Sequence, residues 1–295
     1  MGGKTAVRRL LRRSYRLSWL YGSWRFWRMQ NHKRQPLLVY QMGKVGSRSV
    51  YQALLPLRAS HSLYHVHTLN ETQINSAARA YRQTFSVRHV VPDHLMASRY
   101  LLRDLAAGQP HGRWKVVSLV REPVGRNISS FFQDLELQHP DFSLAEKAVL
   151  STEQLVDELV ELFLTSHDHT EPLDWCDAEL ANILGVDVYA TPFPHEQGWE
   201  LYQSQRADVL LVRLEDLDTV MPSAFSSFLD GFQPSAAPVV NAAMDKSYRD
   251  LYRTFRKTLQ LPESYLKFMY ESRYARHFYT ATELATFYLS WSAHL

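Results

Sequence analysis

The sequence is poor in several features that would define a class of protein. Its 295 residues include one cysteine, Cys176, so a disulfide within the chain and a cysteine-rich zinc site are excluded. It has no run of 18 apolar residues, so a transmembrane helix is not expected. Internal repeats and low-complexity segments are also missing. These absences favour one globular domain with a large core, in a reducing compartment.

Acidic residues are missing from the start of the chain. Residues 1–36 hold ten Lys or Arg and no Asp or Glu, and the first carboxylate is that of Glu71. The rest of the chain holds 23 basic and 30 acidic residues, so the formal net charge of +3 combines a basic N-terminal segment with a mildly acidic body. A nucleic-acid-binding surface on the body is therefore not expected.

The basic segment, residues 1–35, is rich in tryptophan, and arginines interrupt its apolar residues, so no cleavable signal peptide is expected. Its apolar side chains recur at helical spacing: Val7, Leu10, Leu17, Tyr21 and Trp24. Two interpretations stay open. Either this helix lies on the anionic inner face of a membrane, with Trp19, Trp24 and Trp27 at headgroup level, or the tryptophans pack on a cytoplasmic domain.

Short apolar runs alternate with helical patterns along residues 36–295. Buried strands are predicted at residues 37–40, 63–66, 115–120, 186–190 and 209–212. Helices are predicted at residues 49–55, 94–106, 125–138, 151–164, 172–184, 247–259, 262–270 and 281–291. The alternation predicts an α/β domain with a parallel sheet flanked by helices, complete by residue 213, and a helical C-terminal part at residues 240–295. Ligands of such sheets bind at the carboxyl ends of the strands.

The first predicted strand leads into a loop of small, cationic and hydroxyl residues: Gly43, Lys44, Val45, Gly46, Ser47, Arg48 and Ser49. The glycines allow the backbone to turn its amide groups inward, and the lysine and hydroxyls add donors, so the loop is predicted to bind a phosphate. It departs from the triphosphatase pattern G-x-x-x-x-G-K-[ST], because Leu38 stands five residues before Gly43 and Val45 follows Lys44. A phosphate held without magnesium is expected.

Residues 43–49 resemble the 5′-phosphosulfate loop of sulfotransferases that use 3′-phosphoadenosine 5′-phosphosulfate (PAPS) as donor. A second element is also similar to that family, because strand 115–120 is followed by Arg121-Glu122-Pro123, with Ser129 eight residues after Arg121. In the family, such an Arg and Ser hold the 3′-phosphate of the donor. The resemblance implies a P-loop-like fold, similar to that of nucleotide kinases, with PAPS as donor substrate and no metal.

More narrowly, residues 36–295 are similar to bacterial sulfotransferase-like proteins described as "putative capsular polysaccharide synthesis" proteins. The segments that carry this likeness are WCD at 175–177, DVY at 187–189, PFP at 192–194 with Gly198, and RHFY at 276–279. This resemblance implies a hydroxyl acceptor on a carbohydrate or polysaccharide. Aromatic faces that could stack on sugar rings are those of Trp175, Phe193 and Trp199, although for each of them taken singly a place in the core is the better expectation.

The sulfotransferase resemblance also assigns catalytic roles. Lys44 is the expected cation for the leaving oxygen, and Lys246, in the C-terminal part, is a further donor-binding residue. Many family members place a histidine at the end of the second strand, where this chain has His65 and His67 on one face of the strand. His67, nearer the carboxyl end, is the expected base, and His65 orients it or contacts the acceptor. Both could instead be half-buried sheet histidines without a catalytic role.

Two other functions stay open at this point. A magnesium- and nucleotide-dependent kinase of the same broad fold would bind ATP more tightly than adenosine 3′,5′-bisphosphate (PAP). A non-catalytic polysaccharide-assembly protein would keep the fold and transfer nothing. A metal site at His65 and His67 is not expected, because possible third ligands have no fixed spacing: His89, His94 and His111.

Overall fold

One five-stranded sheet organises the molecule. The computed structural model describes residues 14–29, 33–89, 91–139, 142, 151–234 and 249–292. The strands are β1 (Pro36–Tyr40), β2 (Ser62–Val66), β3 (Trp114–Val120), β4 (Trp199–Gln203) and β5 (Ala207–Arg213). Their order is β2-β1-β3-β5-β4, and all neighbours run parallel except β4, which pairs antiparallel with β5. The fold is therefore a mixed α/β fold with a mostly parallel sheet, in agreement with the fold class expected from the alternating pattern.

Helices flank the sheet. Those of the described residues are α1 (Tyr15–Met29), α2 (Ser47–Ala53), α3 (Glu71–Gln83), α4 (Phe85–Arg88), α5 (Asp93–Ala106), α6 (Pro123–Gln138), α7 (Thr152–Ser166), α8 (Glu171–Trp175), α9 (Leu217–Phe228), α10 (Arg249–Thr258), α11 (Glu263–Tyr270), α12 (Arg273–Phe278) and α13 (Ala281–Trp291). A π-helix, Cys176–Leu184, continues α8. None of the helices described here has the length and apolar character needed to cross a membrane.

The central strands are buried because they are apolar along their length. Every residue of β1 is buried, as are all but one in β3 and in β5, which is the pattern of strands covered on both faces. Because β1 lies between β2 and β3, the chain leaves β1 toward one side and later returns on its other side. The carboxyl end of β1 is thus a topological switch point, the usual place for a ligand in an open parallel sheet.

Four of the five predicted strands are confirmed within two residues at each end, and the fifth is wrong. Residues 186–190 form a turn, in which the amide of Tyr189 donates a hydrogen bond to the Asp187 side chain over 2.9 Å. Val186 and Val188 are nevertheless buried, so this apolar run correctly indicated burial but not an extended backbone. The remaining strand is β4, a half-exposed edge strand without an apolar run.

Two apolar clusters stabilise the molecule. One surrounds the sheet, and the other lies among α6, α7, α10, α11 and α13, with Phe131 and Phe163 among its largest side chains. Helix α6 carries apolar residues into the second cluster, whereas Arg126, Ser129 and Gln133 share another face of α6 by helical spacing. The described residues after Arg213 contain helices and no strand, as expected for the C-terminal part.

Candidate functional site

The loop that follows β1 is a left-handed turn. Lys44 has a φ of 72° and Gly46 a φ of 81°. At Gly46 a Cβ atom would also lie 2.6 Å from Cδ1 of Leu214, so glycine suits this position on two counts. A lysine in the left-handed region costs on the order of 1 kcal/mol, and such strain is concentrated at ligand sites. The loop therefore fixes the direction of Lys44 at the switch point.

Arg121 joins the two elements that the sequence motif predicted to act together. Its Nη1 donates to the carbonyl oxygen of Lys44 over 2.9 Å and to Oγ of Ser129 over 3.1 Å. Ser129 Oγ also lies 3.3 Å from the hydroxyl of Tyr252 on α10, which the sequence pattern did not indicate. One guanidinium thus connects the end of β3, the loop after β1 and helix α6.

The turn that carries Arg121 is held by the C-terminal helices. The hydroxyl of Tyr274 accepts from the amide of Arg121 over 3.0 Å and donates to its carbonyl over 2.9 Å. The Glu122 carboxylate caps α6 and accepts from the Tyr270 hydroxyl over 2.6 Å. Burial raises the pKa of the Glu122 carboxyl. These contacts leave little freedom for the backbone that aims Arg121.

Arg126 is a buried support of the same loop, with 1% of its surface exposed. Its Nε donates to the carbonyl oxygen of Gly43 over 3.1 Å, and its Nη1 to the side chain of Asn127 over 3.1 Å. Its Nη2 pairs with Glu171 at 2.5 Å. A buried guanidinium needs such partners, since an unpaired charge there is strongly unfavourable. Sequence reasoning missed this role, because an arginine in a helix pattern gives no sign of burial.

Lys44 itself reaches the polar face of α6. Its Nζ donates to Oε1 of Gln133 over 3.0 Å, and its side chain is half-buried. Gln133 lies on the same helical face as Arg126 and Ser129, so α6 contacts the loop at two points, through Arg126 and through Gln133. The cation is therefore held next to the Arg121 and Ser129 pair.

The other expected loop residues differ in exposure: Val45 and Ser47 are buried, Gly46 and Ser49 are half-buried, and Arg48 is exposed. Within the described residues, no acceptor pairs with the amide groups of residues 45–48. Backbone amides without an acceptor at the start of a helix suit an anion. Lys246, the remaining predicted donor-binding residue, lies outside the described residues.

His67 has the orientation expected of a base. Its Nδ1 lies 3.0 Å from the carbonyl oxygen of Gln41, and because a carbonyl can only accept, Nδ1 carries the proton and Nε2 the lone pair. Burial lowers the pKa of His67, while the Gln41 carbonyl and the charge of Glu171 oppose that shift. The ring is therefore neutral at pH 7 and able to accept a proton through Nε2.

Two further histidines surround His67. The ring of His65 lies 4.8 Å from it and that of His94, on α5, lies 5.2 Å from it, centre to centre. Burial lowers the pKa of His65 to about 2 and that of His94 to about 3. Nε2 of His65 is buried and has no hydrogen-bond partner among the described residues. His94 was not expected in the site, because its distance from His67 along the chain carries no signal.

Further polar groups lie at the carboxyl ends of β1 and β2. The Glu179 carboxylate, on the π-helix, accepts from the Thr68 hydroxyl over 2.5 Å, from the Leu69 amide over 2.8 Å and from the Tyr40 hydroxyl. Burial raises the pKa of Glu179. Both amide atoms of the Gln41 side chain are buried, and neither has a partner in the described chain. A buried amide of this kind is uncommon and is a candidate contact for a ligand.

Two of the three aromatic residues considered for sugar stacking are part of the core. Trp175 and Phe193 are each 3% exposed, and the Trp175 indole donates to the carbonyl oxygen of His67 over 3.0 Å. Only Trp199, half-buried on β4, keeps an accessible face. For Trp175 and Phe193 the alternative of a core position is therefore confirmed, because both rings pack in the apolar cluster around the sheet.

No group of three or more His, Cys, Asp or Glu side chains in the described parts of the chain could hold a metal ion. Near the end of α7, His169 donates to the carbonyl oxygen of Phe163 over 2.8 Å and bonds the Tyr265 hydroxyl at 3.0 Å, so it has a structural role. A pocket of about 390 Å³ lies between α11 and α13 and contains none of the site residues. We therefore consider the edge formed by β1, β2 and β3 the candidate site.

Comparison with other proteins gives one match. The family described as "Putative capsular polysaccharide synthesis protein" matches residues 149–280, which is less than half of the chain. No curated protein and no solved structure matches the chain. The chain is therefore similar to this family over its second half, where all four segments of the narrower resemblance lie.

The matched region and the candidate site overlap only in part. Residues 149–280 include Glu171, Tyr252 and Tyr274, which contact the site arginines or Ser129. The loop after β1 and Arg121 lie outside the match. What the site binds therefore has to be argued from its own geometry.

Proposed function

We propose, starting from the partial match to a family named for capsular polysaccharide synthesis, that this protein is a PAPS-dependent sulfotransferase acting on a hydroxyl of a carbohydrate. The observation that carries the proposal is the position of Arg121, which bonds both the carbonyl of Lys44 and the hydroxyl of Ser129. The two motifs that resemble the sulfotransferase pattern are thereby in direct contact.

The site suits the charge distribution of the donor. PAPS carries anionic groups at the 5′ and 3′ positions of one ribose, so it needs two anion sites side by side. The loop after β1 offers amide groups and Lys44 for the 5′-phosphosulfate, and Arg121 with Ser129 offers donors for the 3′-phosphate. The Gln41 amide is a further polar group at this edge that needs a partner. The residues present therefore fit the donor.

Each residue then has a distinct part in the transfer. Lys44 stabilises the negative charge that develops on the bridging oxygen as the sulfuryl group leaves. His67 takes the proton of the attacking hydroxyl through Nε2, and the Gln41 carbonyl keeps the ring in the required tautomer. As in phosphoryl transfer, most of the acceleration comes from placement and charge stabilisation.

The acceptor class is supported by the family match and not by the aromatic residues. The description of the matching family points to polysaccharide synthesis over residues 149–280. Since Trp175 and Phe193 are buried, they are not proposed as sugar contacts. In this proposal the reaction occurs in the cytoplasm or at the inner face of its membrane.

Transfer of labelled sulfate from PAPS to a polysaccharide acceptor tests the proposal. We expect activity from the wild type and a loss of about 30-fold or more in Lys44→Ala and Arg121→Ala, since each removes charge-assisted contacts to an anion. Lys267→Ala is the matched control, because its Nζ pairs with Glu263 on the exposed surface of α11. Undiminished transfer by both site variants would contradict the assignment.

Nucleotide binding separates the proposal from its alternatives. PAP should raise the melting temperature of the wild type more than ATP with magnesium does, and Arg121→Ala should lose that shift. A larger shift with ATP and magnesium would favour the kinase. Binding of PAP without transfer to any polysaccharide acceptor would favour a non-catalytic assembly protein.

A further inference from the structure

Helix α1 is attached to the domain by one of its faces. Phe26 lies 6.1 Å, ring centre to ring centre, from both Tyr64 of β2 and Tyr100 of α5. Gly22 is buried against Met96, whose Cε would lie 2.4 Å from a Cβ atom at that position. Contacts this close fix the rotation of α1 about its axis, so its other face is fixed as well.

The opposite face of α1 is apolar and exposed. Its five large side chains are exposed as follows: Leu17 41%, Leu20 65%, Tyr21 42%, Trp24 51% and Trp27 67%. In all other described parts of the chain three large hydrophobic side chains are exposed, one each on β4, α11 and α13: Leu201, Phe268 and Leu289. A contiguous exposed apolar strip marks an interaction surface, whereas single exposed residues do not.

Basic residues border this strip, and α1 contains no acidic residue. Arg16 and Arg28 are exposed at its two ends, and the guanidinium of Arg28 lies 5.3 Å from the ring centre of Trp24. Trp19, by contrast, lies on the inner side of α1, with Arg99 of α5 4.7 Å from its ring centre. The exposed strip thus combines aliphatic side chains, two tryptophans and flanking arginines, the composition of a helix that lies at a lipid interface.

We propose that this outward face, formed by Leu17, Leu20, Tyr21, Trp24 and Trp27, docks on the surface of an anionic lipid bilayer with α1 parallel to the membrane plane. Charge complementarity identifies the occupant, because residues 14–36 hold five basic residues and no acidic one. A second copy of the same face would instead bring like-charged arginines together. This inference does not rest on the proposed sulfuryl transfer.

The docked face lies one helix away from the candidate site. Arg25 of α1 pairs with Asp93 at the start of α5 over 2.7 Å. The next residue, His94, is the one whose ring lies 5.2 Å from that of His67. Helix α5 therefore contacts both α1 and the histidines of the candidate site. With α1 on the membrane, the candidate site would lie close to the lipid surface.

Co-sedimentation of the full chain with vesicles tests the proposal. We expect wild-type protein to bind vesicles made of equal parts of phosphatidylglycerol and phosphatidylcholine. The double variant Trp24→Ser/Trp27→Ser should bind these vesicles at least about tenfold more weakly, because two large apolar side chains no longer enter the interface. The control is Phe268→Ser/Leu289→Ser, whose side chains are 51% and 66% exposed and match the tryptophans in exposure. Its binding should equal that of the wild type.

The charge part of the proposal has its own variant. Arg16→Gln/Arg28→Gln should weaken binding to the anionic vesicles by about fivefold per arginine, and vesicles of phosphatidylcholine alone should bind the wild type more weakly. Equal binding to both vesicle types, equal binding by the tryptophan variant, or an equal loss in the Phe268 and Leu289 control would overturn the proposal. So would a wild-type dimer, seen by sedimentation velocity, that the tryptophan substitutions dissociate, since the face would then join two copies.

Discussion

The two sides of the candidate site treat polar groups in opposite ways. On the arginine side, Arg121 bonds both the loop and Ser129, and these contacts keep its positive charge in place. On the histidine side, burial lowers the pKa of His65, His67 and His94, so that those rings lose their charge at neutral pH. The difference shows that hydrogen-bond partners hold a permanently charged side chain in place, whereas burial keeps an imidazole in its neutral form.

That difference would separate two tasks in the proposed sulfuryl transfer. A multiply charged donor needs permanent cations, which guanidinium and ammonium groups provide. A hydroxyl acceptor needs a neutral base with a free lone pair, and His67 meets this condition through its bond to the Gln41 carbonyl. The same edge of the sheet can therefore hold an anion and remove a proton without the two tasks opposing each other.

The largest effect expected on the histidine side is that of His67→Asn. Removal of a general base should lower kcat of sulfate transfer by about 10²- to 10⁴-fold and leave PAP affinity unchanged, since the anion contacts lie on the arginine side. Because burial lowers the pKa of His67, the acidic limb of the wild-type profile of kcat/KM against pH should lie below pH 6.5. Initial rates measured between pH 4.5 and 8, in steps of about half a pH unit, give the position of this limb.

His65→Asn is the matched control for that variant. Its ring shares the strand face but has a pKa of about 2 and a buried, unpartnered Nε2, so it is a poor base. We expect a loss of less than about tenfold in kcat. If His65→Asn lost more activity than His67→Asn, the roles of the two rings would have to be exchanged.

On both sides of the site, residues that belong to one local motif could be predicted from sequence, and contacts between distant segments could not. The pair of Arg121 and Ser129 and the Lys44 loop are local motifs whose spacing follows from a strand, a turn and a helix. The approach of His94 to His67 depends on how α5 packs, which no local pattern encodes. The same limit explains why residues 186–190, apolar but turned, were wrongly predicted as a strand. Burial can be inferred from an apolar run, but contacts between distant segments cannot.

Arg126 provides a stability test of the arginine side. Arg126→Leu should lower the free energy of unfolding by about 3 kcal/mol, because it leaves the Gly43 carbonyl and Glu171 without their buried partner. Glu171 is 39% exposed, so water can hydrate its carboxylate once Arg126 is removed. The loss of stability should therefore lie near the lower end of the range of about 3–5 kcal/mol for a broken buried ion pair. Urea denaturation measures the change. The control Arg273→Leu breaks an exposed ion pair with Asp177 and should change stability by about 1 kcal/mol or less. Equal losses would mean that Arg126 is no better supported than a surface residue.

The smallest effect that we expect is the contribution of His65 to the pH dependence of the free energy of unfolding. In the unfolded chain His65 takes up a proton near pH 6.5, whereas in the folded chain its pKa is about 2. Between these values the unfolded state binds more protons, so acidification below pH 6.5 destabilises the fold by up to about 1.4 kcal/mol per pH unit for this residue. Stability from this residue is complete above pH 6.5 and is lost as the pH falls.

Urea denaturation of wild type and His65→Asn at several values from pH 7 to 4.5 tests this sign. The carboxyls of Glu122 and Glu179, whose pKa values burial raises, bind protons in the folded state and act in the opposite direction, but they are common to both proteins. The wild-type curve should therefore fall more steeply than that of the variant as the pH decreases. Parallel curves would show that His65 can be protonated in the folded state, and the contrast between a charged arginine side and a neutral histidine side would then fail at this residue.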